Sequence, residues 1–255
     1  AAGDFTNASS SGQTPSYVAA SSLFDDGPVV HFDASADGGT SYEALSNSTN
    51  FPNSPDGLTV VYLGRLSGGS NQRLLSAPGN NWLLGYWGGE MNDAYFQTWV
   101  AHGPSADTIP HFYAATIDAS GNGVAYGDRV QLGSKSGTGG PSGLRLGGGY
   151  GSDEYSSGDV VELLVYNSVL TPAQRSAVES YLIQKWVGIL PRSTAVSIAG
   201  GATLDLNGVS QTIGSLSGEA GSQVLLGGGT LTTGGNNDST SFAGSISGAG
   251  DLTKT

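Results

Sequence analysis

The chain has 255 residues, 42 of them glycine, no cysteine, only 12% charged residues and a formal net charge of −12. The lack of thiols excludes disulfides and thiolate chemistry, and nine Lys and Arg against 21 Asp and Glu give no basic patch for nucleic acid or an anionic membrane. No apolar run approaches membrane-spanning length, and a glycine-rich chain with 37% hydrophobic residues predicts an all-β fold with many turns.

Residues 1–27 are rich in Ser, Ala, Asn and Gly and are expected to form an arm pinned by Phe5, Tyr17, Leu23 and Phe24. The start Ala1-Ala2-Gly3 is compatible with cleavage after small residues. Pro28–Asp33 reads as a first strand, and 34–56 as a polar loop with Pro52 and Pro55. Further strands are predicted at Leu58–Leu66, Gln72–Ala77, Asn81–Trp87, Ala94–Val100, His111–Asp118, Gly123–Leu132 and Leu144–Gly147, with a tight turn at Ala119–Gly123. Val160–Asn167 is apolar on both faces and should sit centrally in a sheet. Thr171-Pro172-Ala173-Gln174 opens a helix, with Thr171 as N-cap, Pro172 at the first helical position and Gln174 closing a capping box. Val178, Tyr181, Leu182 and Trp186 follow at helical spacing, and Gly188 with Pro191 stops the helix.

After a linker at 189–194 the texture changes: short apolar runs alternate with Gly and Asn, and Phe242 is the lone aromatic. Gln211–Gly218 aligns with Ser241–Gly248 at an offset of 241 − 211 = 30 residues. Short strands recurring in this way predict a stacked solenoid over 195–255 whose array continues past Thr255, with self-association through its open edge.

Val30-His-Phe-Asp-Ala34, His111–Asp118, Gly123–Asp128, Leu144-Arg-Leu-Gly147 and the strand–helix stretch Gly158–Gly188 together resemble the laminin-G-like branch of the concanavalin-A-like lectin/glucanase superfamily, across residues 28–188. The resemblance implies a jelly-roll β-sandwich with one C-terminal helix, often extracellular, often glycan-binding and sometimes calcium-dependent. Gly201–Gly208, Gln211–Leu216 and Ser245–Lys254 resemble the passenger-associated repeats of autotransporter-type proteins, implying a bacterial surface or secreted protein with a β-helical stalk.

Aromatic rings offer a broad apolar face and a polar rim, the surface on which a sugar stacks. The candidate ligand contacts are therefore Trp82, Tyr86, Trp87, Tyr95 and Trp99, with Glu90 and Gln97 beside them. Strand alternation puts Tyr95, Gln97 and Trp99 on one face, and sets Trp82 and Tyr86 opposite to Trp87. For calcium, oxygen-rich loops at Glu90–Asp93, and at Asp153-Glu154 with Asp159, make Asp93 and Asp153 the candidate ligands.

A retaining glycosidase of this superfamily would carry a Glu-x-Asp-x-x-Glu run; none is present, and Glu162 has no carboxylate partner along its strand. Gln97, His111, Tyr113 and Arg145 could mimic a lyase set, without the lyase motifs. His31, His102 and His111 lack metal-ligand spacing and read as structural. The expected function is a non-catalytic carbohydrate-binding or adhesion module, secreted or on a bacterial surface, whose partner is a polysaccharide. The alternatives are a polysaccharide hydrolase or lyase with a non-standard site, and a structural surface-layer or fibre element.

Overall fold

A computed structural model describes residues 4–9, 12–24, 27–34, 42–47, 51, 57–68, 72–150, 154–187, 190, 193–206, 208 and 210–255. Pro52, Pro55, Asp153 and the Gly188/Pro191 helix stop lie outside them. Two compact units emerge, Ala1–Ala19 with Pro28–Glu179 and Ala20–Gly27 with Ser180–Thr255.

The expected all-β class is the one found: the described residues form two seven-stranded antiparallel sheets, a set of smaller parallel ladders and a single α-helix. The front sheet runs, edge to edge, through Thr6–Asn7, Leu45–Asn47, Leu144–Leu146, Leu75–Ser76, Trp82–Trp87, Glu90–Phe96 and Trp99–Ala101. The back sheet runs through Val130–Lys135, Gly123–Gly127, His111–Ile117, Leu58–Leu66, Gly158–Tyr166, Gly27–Phe32 and Ser16–Ser21. Neighbours far apart in sequence, such as Leu58–Leu66 beside Gly158–Tyr166, give the crossovers of a jelly roll. The first residues, read as an arm, supply outer strands to both sheets.

The core follows from alternation. Val60, Tyr62 and Leu66 face Trp82, Leu84, Tyr86, Ala94 and Phe96 across the sandwich, with Tyr113, Ala115 and Ile117 alongside. Three phenols stand in this apolar layer, and a buried hydroxyl must find a partner. Tyr62 donates to the Leu84 carbonyl (2.8 Å) and Tyr86 to the Gly64 carbonyl (3.4 Å), while the Asn92 amide donates to the Tyr113 oxygen (3.3 Å). These bonds cross between the sheets and fix their register. Gly85, at φ +103°, permits the arrangement, because a Cβ there would enter the Tyr62 hydroxyl and the Tyr113 ring.

Gly158–Tyr166 is an interior strand as expected, but from Val161 onward it is only partly buried. The capping box forms: the Thr171 amide donates to Gln174 Oε1 (2.9 Å), and the Gln174 amide to Thr171 Oγ1 (3.3 Å). The helix spans Pro172–Leu182 and widens into a π-turn at Ile183–Val187. Its buried residues are Leu182 and Glu179, whereas Tyr181 is 44% exposed. Arg175 pairs with Glu179 (3.2 Å) and lies over the Tyr126 ring (3.5 Å), so an ion pair and a cation–π contact take the place of a purely apolar face.

The three histidines have separate fates. His31 Nδ1 meets Asp159 Oδ1 at 2.7 Å, and Arg65 Nε donates to Asp159 Oδ2 at 2.7 Å. That buried carboxylate is engaged at both oxygens, which removes Asp159 from the calcium set. His111 lies between two carboxylates, Nδ1 on Asp128 (2.6 Å) and Nε2 on Asp107 (2.9 Å). An imidazole donating from both nitrogens is a cation. The Asp128 hydrogen bond, helped by Asp107, raises the pKa of His111 against an opposing burial effect. Burial is the largest single effect on Asp107 and pushes it up, but the His111 hydrogen bond, the Ile109 amide and the His111 charge together hold it below the usual carboxylate value. The raised histidine stabilises the fold fully below its unfolded pKa of about 6.5, and this contribution is lost as pH rises through the folded value. The depressed Asp107 contributes above its unfolded pKa and loses its effect in acid. We therefore expect the urea-midpoint difference between wild type and His111→Gln to be largest near pH 5–6 and to shrink on alkaline titration. A difference that grows with pH would refute the charged bridge.

In the C-terminal unit the strands pair in parallel. Ala195–Ile198 pairs with Ser215–Gly218; Thr203–Asp205, Gln223–Leu225 and Ser245–Ser247 form a second ladder; Gln211–Ile213, Leu231–Thr233 and Leu252–Lys254 form a third. Ile198, Leu206, Ile213, Leu216, Val224, Leu226 and Leu231 are buried together. A stacked solenoid with a repeat of about 30 residues was expected; the strands found pair in parallel at a shorter offset. Ala195 pairs with Ser215, an offset of 215 − 195 = 20, and Gln223 with Ser245, 245 − 223 = 22, rather than 30. The turn glycines set this spacing: Gly201 and Gly221 take φ +82° and +84°, and the Gly201 amide donates to the Gly221 carbonyl.

Candidate functional site

The candidate site is the outer face of the front sheet at its Trp99–Ala101 edge. Trp82–Trp87 pairs with Glu90–Phe96, which pairs in turn with Trp99–Ala101. Gly88 and Gly89, both at positive φ, make the first turn. The second is Gln97-Thr98, with Gln97 at φ +61° and the Phe96 amide donating to the Thr98 carbonyl. The stretch read as one strand over Ala94–Val100 is therefore a hairpin. Tyr95 and Trp99 still share a face, but as cross-strand partners (centroids 5.1 Å, 81°). Gln97 sits in the turn and is exposed, its side-chain amide beside Gly139.

Two of the proposed contacts are corrected. Trp82 and Tyr86 are fully buried: Trp82 stacks on Phe96 (5.1 Å, 9°), and Tyr86 meets Tyr113 edge-on (5.2 Å, 78°). Inward alternation spends both rings on the core, where no ligand reaches them. Trp87, Tyr95 and Trp99 remain partly exposed on the outer face. Trp87 meets Trp99 at 5.4 Å and 66°, and the His102 ring lies on Trp99 at 3.6 Å. The Trp87 indole N–H donates to Glu154 Oε1 (3.0 Å), and Glu154 in turn pairs with the buried Arg73 (2.8 Å). This locks one indole, so part of the platform is preorganised.

Beside the rings lies a polar cluster. His102 Nδ1 is 3.2 Å from Glu90 Oε2 and 3.0 Å from Asp93 Oδ1. The Gly103 amide donates to the same Asp93 oxygen at 3.1 Å. The Asp93 side chain is 0% exposed, and its Oδ2 has no hydrogen-bond partner among the described residues. Burial lifts Asp93 to a pKa of about 6, against the opposing pull of the Gly103 amide and His102. Gly103 is needed here, because a Cβ would run into the Met91 carbonyl oxygen and the Asn92 side chain. Gly103→Ala should cost about 1–3 kcal/mol through backbone displacement, read as a lowered thermal midpoint. An unchanged midpoint would show that the 102–104 segment is not held against Met91.

The carboxylates Glu90 and Asp93 are close, but they do not form a hydrolytic pair: Asp93 is sealed from solvent and cannot reach a glycosidic oxygen. The lyase-like set is likewise not assembled. Tyr113 is in the core and His111 is spent on its bridge, both in the back sheet, whereas Arg145 belongs to the front sheet and Gln97 to a front-sheet turn. From the sequence His102 reads as a structural histidine without metal-ligand spacing, Arg73 draws no notice and Glu154 belongs only to an acidic loop. Reading Gln97-Thr98 as a two-residue turn would have set Ala101 opposite Ala94, and hence His102 beside Asp93.

No protein-family model and no curated protein sequence matches the chain. Among solved structures it is similar to a receptor-binding domain (11% identity, 60% of this chain and 42% of that one, TM-score 0.44). It is also similar to domain 4 of AbnA, a GH43 extracellular arabinanase from Geobacillus stearothermophilus in complex with arabinotriose (18%, 66% and 82%, TM-score 0.44). A third is the binding domain of Paraclostridial Mosquitocidal Protein 1 (10%, 66% and 45%, TM-score 0.47). The chain spans less than half the length of the first and third of these. Likeness of this degree assigns no function. No helix among the described residues is long and apolar enough to cross a membrane.

Proposed function

We propose that the sandwich is a non-catalytic carbohydrate-binding module whose platform is Trp87, Tyr95 and Trp99. One observation carries the reading: two indoles and a phenol, spared from the core by alternation, lie together on an outer sheet face with carboxylates Glu90 and Glu154 at their margin. A pyranose ring would lay its C–H face on an indole and donate its hydroxyls to those carboxylates. The acidic margin favours neutral over anionic glycans, since a uronate or sialate would meet like charge. The parallel-stacked unit supports display of this module on a repeat stalk of passenger type, secreted or held at a bacterial surface.

The test is a polysaccharide panel in affinity electrophoresis and calorimetry on the whole chain. Saturable binding of a neutral glycan, without release of reducing ends or unsaturated products, is the expected result. Product release would establish the hydrolase or lyase reading, and silence across the panel at millimolar sugar would favour a structural role.

A further inference from the structure

We propose that Glu90, Asp93 and His102 form a binding site for one first-row divalent transition-metal cation of the Zn²⁺ type. The three donors lie within 4.8 Å of one another at the edge of the front sheet. His102 Nδ1 is 3.2 Å from the Glu90 oxygen and 3.0 Å from the Asp93 oxygen. With metal–ligand bonds of about 2.0–2.2 Å, donors around one zinc ion stand roughly 3.0–3.5 Å apart, so this spacing is that of a coordination shell. A carboxylate fully withdrawn from water with one oxygen unpartnered is costly, and a cation at its other oxygen offsets that cost.

The donor chemistry selects the ion. Calcium takes six to eight oxygens, whereas this cluster offers two carboxylates and an imidazole nitrogen, and Asp159, the other buried carboxylate considered for calcium, is already paired with His31 and Arg65. One imidazole nitrogen with two carboxylates, and room for water or a ligand at an open position, suits zinc and its neighbours in the series. The surroundings preorganise the set. The Gly103 amide holds Asp93 Oδ1, and the Trp99 ring beneath His102 fixes the plane of the imidazole. The sequence hides the set because Asp93 and His102 stand at an offset of 102 − 93 = 9 positions, and the Gln97-Thr98 hairpin closes that gap. The site stands on its own, whether or not the neighbouring rings bind sugar.

The experiment is calorimetry of the chelator-treated whole chain near neutral pH with ZnCl₂, CaCl₂ and CoCl₂ as separate titrants. One Zn²⁺ per chain is expected, bound at least about tenfold tighter than Ca²⁺, and Co²⁺ should give visible d–d absorption that Zn²⁺ abolishes. His102→Gln and the solvent-facing Glu90→Gln should each weaken Zn²⁺ at least about tenfold with an unchanged circular-dichroism spectrum. His31→Gln, which alters a histidine elsewhere, should bind as wild type. No saturable Zn²⁺ uptake, wild-type affinity in His102→Gln, or Ca²⁺ competing at equal concentration would each overturn the proposal. Because no glycan is present, failure here leaves the sugar platform untouched, and failure of the glycan panel leaves this site untouched.

Discussion

Trp82→Ala is expected to destabilise the sandwich by about 3–5 kcal/mol, the range for emptying a large aromatic from a packed core. The ring is fully buried and stacked on Phe96, and it contacts the layer shared with Val60, Tyr62 and Tyr113. Little can collapse into the space it leaves, because both sheets are pinned by the tyrosine hydroxyl bonds between them. At this size the loss corresponds to a fall of roughly 6–20 °C in thermal midpoint. Differential scanning calorimetry checks it. A shift under a degree would mean that Trp82 is not a core residue and would reopen its reading as a ligand contact.

Trp99→Ala should do the reverse. Its ring is partly exposed and packs on Tyr95, Trp87 and His102, so truncation removes edge contacts rather than a core. Such aromatic pairs are worth about 0.5–1.5 kcal/mol, and stability should fall by no more than that order. Glycan affinity should fall about 10–100-fold, or roughly 1.4–2.8 kcal/mol, as for a central aromatic anchor. Calorimetric titration of a glycan found to bind the wild type measures it. Trp87→Ala should behave similarly and also release Glu154 from its indole bond. Wild-type affinity in both variants would remove the platform from the account.

The contrast between these two tryptophans shows what the sequence could carry. Trp82–Trp87 alternates without interruption as far as Leu84, and that pattern already set Trp82 and Tyr86 on one face and Trp87 on the other. It could not say which face was inside, because both carry aromatics. The strand–helix unit was legible because its cap is local: Thr171, Pro172 and Gln174 specify it within four residues. The polar cluster was not, since it rests on long-range pairing and on a hairpin whose turn, Gln97-Thr98, lacks the glycine that usually marks one. In the C-terminal unit the true period was present as Gly201, Leu204 and Leu206 against Gly221, Val224 and Leu226. The louder match of Ser215-Leu-Ser-Gly218 with Ser245-Ile-Ser-Gly248 concealed it. Those matching residues are strands of different ladders rather than stacked partners.

The central claim is that one sheet face, and not the core or the C-terminal unit, meets the glycan. The chain has four tryptophans, so its ¹H–¹⁵N spectrum holds four indole resonances, one each from Trp82, Trp87, Trp99 and Trp186. Titration with a binding glycan should move the Trp87 and Trp99 resonances together along one saturation curve and leave those of Trp82 and Trp186 in place. A saturable shift confined to Trp186, or binding that moves none of the four, would contradict the account.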